Sequence, residues 1–494
     1  MSAFRWGDPD SAISLPPAIR GLLGSALGVT APRPVTPVVL PPPAPLPAAL
    51  AADTSDQARL AHAAGMSTED LLRARRGEAP GAPDGVVRPA SHDEVLDVLR
   101  VAAAQRVAVV PFGGGTSVVG GLRPVRDGFR AVVALDLAGL DRLVAVDPVS
   151  RTATFEAGVR GPRAEELLAA HGFTLGHFPQ SFQYATLGGF AATRSSGQAS
   201  AGYGRFDQMV VALRAATPAG SLDLGRAPHS AAGPDLRQLL LGSEGAFGVI
   251  TELTLRVRPA ETLRYEGWSF PSFADGLHAV RAVAQDGPRP AVLRLSDEAE
   301  SAVTAATTPG SDADGGCLAV VGAVGPLGDR FAAHGGRPLG AAPGEAWRDG
   351  RFRAPYLRDA LLDAGALAET LETATFWDRL PDTYAAVRDA LIGSLGAALV
   401  MCHVSHVYET GASLYFTVVA AQADDPVAQW RQAKAAASDA IARSGATITH
   451  HHGVGRDHLR WYADEIGPVG AGLLRAVKQA VDPAGVLNPG ILVP

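Results

Sequence analysis

The sequence predicts an α+β protein, on three observations. Short apolar segments alternate with amphipathic stretches from residue 85 to residue 171. The alternation resumes with a different texture after residue 260, and three glycine-rich segments punctuate the first half. A length of 494 residues suits two or three domains, and 47% apolar with 19% charged residues describes a soluble globular chain. The net charge of −7 argues against broad nucleic-acid binding. Cys317 and Cys402 are the only cysteines, too few for a disulfide framework or a cysteine zinc site, which fits a cytoplasmic location. The first residues lack the basic start and apolar core of a secretory signal, and no apolar run nears the ~20 residues of a membrane span.

In chain order, residues 1–80 form an N-terminal helical and proline-rich arm. Residues 31–50 read as an extended linker or wrapping arm, and 60–76 as a helix whose Arg73, Arg75 and Arg76 make a solvated face. Residues 81–259 form a cofactor-binding domain. It opens with a strand at 85–88 and a helix announced by the capping box Ser91–Glu94, with Val95, Val98, Leu99 and Ala102 on one face. Strands at 107–110, 131–135, 143–146, 152–156 and 253–257 surround a short helix at 161–171. In residues 260–445, helices at 273–285, 378–392 and 426–444 alternate with strands at 292–296, 317–324, 397–403 and 412–420. That order predicts a cap or substrate domain, a sheet covered on one face by helices. Residues 446–494 carry two helices and return to complete the site.

The strand at 107–110 delivers Pro111, Phe112, Gly113, Gly114, Gly115, Thr116 and Ser117. Consecutive glycines leave bare amides in a concavity that holds a diphosphate without Lys or Arg. A second segment runs from His177 through Gln180, Ser181, Thr186, Gly188 and Gly189 to Thr193, Arg194, Ser195 and Ser196; its amides and hydroxyls suit a phosphorylated cofactor. A third, Glu244, Gly245, Ala246, Phe247, Gly248, Val249 and Ile250, leads into the strand at 253–257. Together they point to one large, extended, phosphorylated cofactor. Near the other end stand His450, His451 and His452, followed by Gly453 and Gly455. On a strand His450 and His452 would share a face, with His451 opposite. A metal site and a charged surface patch are the alternatives; the two glycines favour a shaped turn beside a ligand, and no metal is assigned.

These three segments, in this order, resemble the vanillyl-alcohol-oxidase (PCMH-type) FAD-binding fold over roughly residues 55–494. Members that link FAD covalently often carry His where this chain has Thr116, so the resemblance implies non-covalent FAD. Relatives that oxidise D-lactate or glycolate carry a single His after an acidic residue near the end. The triple His is instead similar to the alkyldihydroxyacetonephosphate synthase family, as are Pro355–Asp359, Glu369–Ala374 and His403–Phe416. By that resemblance Tyr415 and the His450–His452 cluster are catalytic, and Arg358 and Arg294 bind substrate. It implies exchange of the acyl chain of acyl-dihydroxyacetone phosphate for a long-chain alcohol through a flavin adduct. It also implies a homodimer acting on lipid-like substrates, with peripheral membrane contact. Residues 39–50 and 357–371 are the weakly amphipathic candidates for that contact. His177 and His403 are read as possible core histidines, His403 especially. The rival reading is an FAD-dependent 2-hydroxy acid dehydrogenase or oxidase. Phe178 and Gln180, where animal members are acidic, and Arg456, in place of Lys, depart from the family pattern.

Overall fold

The structure, a computed structural model, describes residues 4–29, 31–307, 313–325 and 328–494. Two larger sheets build the first half, beside a two-stranded pairing of Phe173–Thr174 with Arg258–Pro259. Gly85–Val87, Ala131–Asp136 and Val107–Phe112 lie side by side in that order as a parallel three-stranded sheet, and the helix His92–Gln105 supplies a crossover that parallel strands need. Leu143–Asp147, Thr152–Glu156, Val249–Arg256, Val210–Thr217 and Gly220–Leu224 make an antiparallel five-stranded sheet in that order. The Ser91 hydroxyl caps its helix by accepting from the Glu94 amide, while the Glu94 carboxylate reaches the Ala90 amide.

The second half is one antiparallel sheet of seven strands. Its order is Arg337–Gly340, Arg264–Phe270, Cys317–Ala323, Val292–Ser296, Ala398–Val407, Gly411–Ala421 and Ala366–Phe376. Helices Phe273–Asp286, Leu380–Leu395 and Pro426–Arg443 cover one face. There Val280, Val387, Trp430 and Ala433 pack on Leu371, Cys402, Val404, Phe416 and Val418. The alternate residues of the same strands face the other way, into the cavity described below.

Two local expectations change. The helix expected at 60–76 is two helices, Asp56–Ala61 and Thr68–Arg75. A side chain at Gly65 would meet the Ser117 carbonyl at 2.3 Å, and Ser67 caps the second helix by accepting from the Asp70 amide, so the chain turns between them. Of the arginines there, Arg76 is exposed as expected, and Arg73 is partly buried between Glu69 and Glu78. Arg75 is nearly buried against Asp359 and Asp363, both at 3.1 Å, and ties the arm to the cap. The two C-terminal helices are present as expected: Gly467, with φ +66°, interrupts Leu459–Val481 just before Pro468 and separates them.

Residues 31–50 do wrap the surface, with Leu50 sunk into the core under the helix His92–Gln105. Ahead of them the helix Pro17–Leu27 lays Leu23 and Leu27 against Leu361, Ala366, Met401 and Val419. The final residues return to the first sheet. Val109 donates to Val486 and accepts from Asn488, both at 2.8 Å, so the tail pairs with the strand that carries the glycine loop. Among the described residues no helix is long and apolar enough to cross a membrane.

Candidate active site

A single cavity of about 850 Å³ runs between the two halves. Of the cofactor residues named above, all but four line it: His177, Arg194, Ala246 and Phe247 do not. Ala246 and Phe247 are buried beneath the third glycine segment. Arg194 is structural, bonding the Leu241 carbonyl at 2.9 Å and Asp207 at 3.2 Å. His177 is a core histidine wedged between Phe190 and Phe206, 3.1 Å from the Ser195 hydroxyl, and burial drives its pKa down to about 3.

The glycine loop fits a diphosphate. A Cβ on Gly114 would stand 2.2 Å from the Tyr184 carbonyl, and one on Gly115, whose φ is +67°, 2.6 Å from the Phe112 ring. Only bare backbone fits there. The amides of residues 113–117 find no acceptor among the described residues, so they are orphan donors facing the cavity.

Across the cavity, the cap sheet presents rows of side chains in register. Glu372, Tyr415 and His403 lie side by side on three strands, with Ser296 next to His403 on a fourth. Two residues along comes Thr370, Thr417 and Met401; two further, Ala368, Val419 and Leu399. Rows two residues apart are about 7 Å apart. The wall therefore passes from acid/base groups to wholly apolar ones. Beyond the last row the helix Pro17–Leu27 closes the space with Ile19, Leu22, Leu23 and Leu27. Leu357 and Leu361 line this same end while Leu362, Leu367 and Leu371 are core, so 357–371 presents no membrane face.

His403 faces the cavity rather than the core. It stacks on Tyr415 with centroids 4.8 Å apart and lies 2.9 Å from Arg294 and 3.1 Å from Glu300. Burial would raise the Glu300 carboxyl, but Arg294 and His403 hold it at about 2. Arg294 is thus neutralised within a buried triad. Arg358 differs: it donates to the Met66 carbonyl at 2.8 Å, stands 4.0 Å from Glu369, and its Nε and Nη2 are buried with no partner. Orphaned guanidinium donors on a cavity wall suit an anionic ligand group. Tyr415 is pushed up to about 12 by burial, so it is a neutral phenol at ordinary pH.

The histidine segment is a bend, not a strand, and the expected alternation fails. His451 and His452 line the cavity; His450 turns away to the Tyr408 hydroxyl at 2.6 Å and stacks on His406. The cause is a buried carboxylate. Glu372 accepts from the amides of His450 at 2.7 Å, His451 at 3.1 Å and His452 at 3.0 Å, and three successive amides can converge only if the backbone curves. Glu244 grips the next turn, accepting from Val454 at 2.9 Å and Gly455 at 3.0 Å, and burial pushes it up to about 7. Burial drives His452 down to about 3 and His406 and His450 well below the ordinary range. His406, His450 and His451 bring ring nitrogens within 4.8 Å of one another, but the His450 and His451 Nδ1 atoms already face each other at 3.0 Å with the Arg205 charge nearby. His406 reaches the cavity because a bulge between Val404 and Val407 shifts the alternation of its strand.

Sequence reasoning did not single out Glu372, Glu300 or the helix Pro17–Leu27. Period-2 counting back from Tyr415 would have exposed none of them, since their partners lie on other strands.

Residues 83–224 match the FAD-binding domain family and residues 260–492 the C-terminal domain family of FAD-linked oxidases. The chain is 34% identical over 475 residues to the alkyldihydroxyacetonephosphate synthase of Trypanosoma brucei brucei, covering 88% of this chain and 77% of that protein. It is 32% identical over 474 residues to that of Dictyostelium discoideum, with the same coverages. A solved alkyldihydroxyacetonephosphate synthase superposes with a TM-score of 0.82 over 98% of each chain at 27% identity. The chain is an FAD-binding protein and belongs to the alkyldihydroxyacetonephosphate synthase family.

Proposed function

We propose that this protein exchanges the acyl chain of acyl-dihydroxyacetone phosphate for a long-chain alcohol. The observation that carries the reading is the continuous cavity, which runs from the amide cradle past His451, His452, Tyr415 and Arg358 to an apolar end. A small hydroxy acid would need only the polar end of that space. A fatty chain gains about 0.8 kcal/mol per methylene buried in the rest.

The roles follow from the residue types. Arg358 supplies its two unpartnered donors to the substrate phosphate. An imidazole of the His451–His452 pair takes the proton from the substrate carbon, since both are uncharged and face the cavity. Tyr415, a neutral phenol, donates to the departing carboxylate. Bound FAD supplies an electron-accepting ring that can hold the substrate carbon while its substituent changes. The fatty carboxylate leaves with the alcohol's proton and the alcohol oxygen bonds to the same carbon, so no net redox change occurs. Thr116 offers no nitrogen for a covalent flavin link, and FAD is dissociable: acid precipitation should leave the yellow colour in the supernatant. The assembly is a homodimer in the cytoplasm in peripheral contact with a membrane; sedimentation velocity and flotation with liposomes at low salt test these two points.

Holoenzyme mixed with labelled hexadecanol and acyl-dihydroxyacetone phosphate should yield a labelled, phosphate-bearing ether and one equivalent of fatty acid. Lasting flavin bleaching by D-lactate or glycolate under anaerobic conditions, without label transfer, would establish the hydroxy-acid reading instead.

A further inference from the structure

Glu372 is the least explained group beside the site. Its side chain is fully buried, in the middle of the strand Ala366–Phe376, and among the described residues no Lys or Arg pairs with it. A lone carboxylate in such a place is costly unless its charge is met. Four donors meet it: the amides of His450, His451 and His452, and the Thr449 hydroxyl at 2.6 Å. Three of these donors go to Oε1 and one to Oε2, so the remaining acceptor capacity is on Oε2. The nearest ring nitrogen is His451 Nδ1 at 3.5 Å, with His452 Nδ1 at 4.0 Å. His451 Nδ1 also faces His450 Nδ1, so its Nε2 is the ring nitrogen left for the cavity.

We propose that Glu372 is a positioning residue: it sets the curvature that turns His451 toward the cavity, and it is the built-in counter-ion for the imidazolium formed when His451 takes the substrate proton. This deepens the functional reading and rests on it for the proton, not for the geometry. The groups facing His451 bear this out as the electrostatic problem Glu372 solves. Tyr415 lies parallel at 6.0 Å and is neutral. His406 stands edge-on at 5.0 Å and His452 at 4.8 Å, both uncharged, as is His450. Arg205 contributes the wrong sign. Glu372 is the one negative group among them, and a proton arriving at His451 has no other partner there.

Three measurements on holoenzyme test this. Glu372→Gln keeps the size of the side chain and removes the charge. It should bind FAD at wild-type stoichiometry and leave KM within about threefold. Its kcat should fall about a hundredfold, and the acid limb of kcat/KM should move at least one pH unit lower, because the imidazole loses its counter-ion. Unchanged kcat, or a lowered kcat with an unmoved limb, would overturn the proposal. Should E372Q fail to fold, Glu372→Asp carries the test: the retained charge keeps the limb within about half a unit while kcat drops, and a limb displaced downward as far as one unit contradicts the counter-ion role. The third readout needs no turnover. The His451 pKa read by NMR of histidine-labelled holoenzyme should be at least one unit lower in E372Q, or higher in the wild type than in E372D by less than half a unit. An equal value in wild type and E372Q overturns the pairing even if the functional reading stands, and the expected difference upholds it even if the enzyme transfers no alcohol.

Discussion

Two arginines bracket the cavity, and their surroundings separate their roles. Arg294 gives its charge to Glu300 and His403; Arg358 keeps two buried donors unpartnered. Charge-assisted bonds to phosphate contribute roughly 1.5–3 kcal/mol each. Arg358→Met should therefore lower kcat/KM for the phosphate-bearing substrate about a hundredfold while leaving flavin content unchanged, as steady-state kinetics and the visible spectrum will report. Arg294→Met should instead show as lost stability, since it strands Glu300 in the interior. His177 makes a pH prediction. Its folded pKa of about 3 lies below the ordinary 6.5, so the stability it gives is complete above pH 6.5 and is lost as pH falls toward 3. The loss is about 1.4 kcal/mol per pH unit. The unfolding free energies of wild type and His177→Asn, measured in urea at pH 6.5 and 5.5, should converge by about 1 kcal/mol, because the unfolded imidazole is already half protonated at pH 6.5; a constant gap would mean that His177 is not held neutral.

At the scale of elements, the cap sheet does the sorting. Its two faces follow from period 2: Leu371, Phe416, Val418 and Cys402 go to the helices, Thr370, Tyr415, Thr417 and Met401 to the cavity. The polar row and the apolar row are four residues apart on each strand, so chemistry and chain recognition are fixed by one rigid surface. Leu399 lies on the apolar row and is only half buried, so a larger side chain is tolerated. Leu399→Trp should displace about four methylenes of a long alcohol, near 3 kcal/mol, and cut kcat/KM for hexadecanol about a hundredfold. Decanol should be nearly unaffected, and equal losses for both alcohols would show that the chain lies elsewhere. The glycine loop was legible from its own residues, and Arg358 and Tyr415 were singled out by the family resemblance of short segments; all of them line the cavity. Glu372 was not legible: an acid in a strand looks like any solvated position until the amides 78 to 80 residues later arrive. The split of the helix at 60–76 had the same origin, a contact between Gly65 and the distant Ser117 carbonyl. His403 was misread because a histidine on an apolar strand is most simply core, and only the neighbouring strands show which face is the cavity.

For the whole molecule, distant segments are drawn into one site by a few bonds. The Asn488 side-chain amide donates to the Gly121 carbonyl at 3.0 Å and the Glu244 carbonyl at 2.7 Å, joining the tail to two of the three glycine segments. Asn488→Asp, which replaces that donor by a charge facing two carbonyls, should weaken FAD binding at least tenfold by fluorescence titration; unaltered affinity would mean the tail is not needed to hold the cradle. Glu372 from the cap and Glu244 from the cofactor domain hold the amides of one histidine bend between them, so the acid/base groups are fixed to both halves at once. The account as a whole is tested most directly by incubating holoenzyme with acyl-dihydroxyacetone phosphate and labelled hexadecanol while following the flavin spectrum. It predicts labelled ether and released fatty acid in equal amounts, with the flavin oxidised again when substrate is exhausted. Absence of labelled ether, together with stoichiometric flavin reduction by a small 2-hydroxy acid, would contradict it.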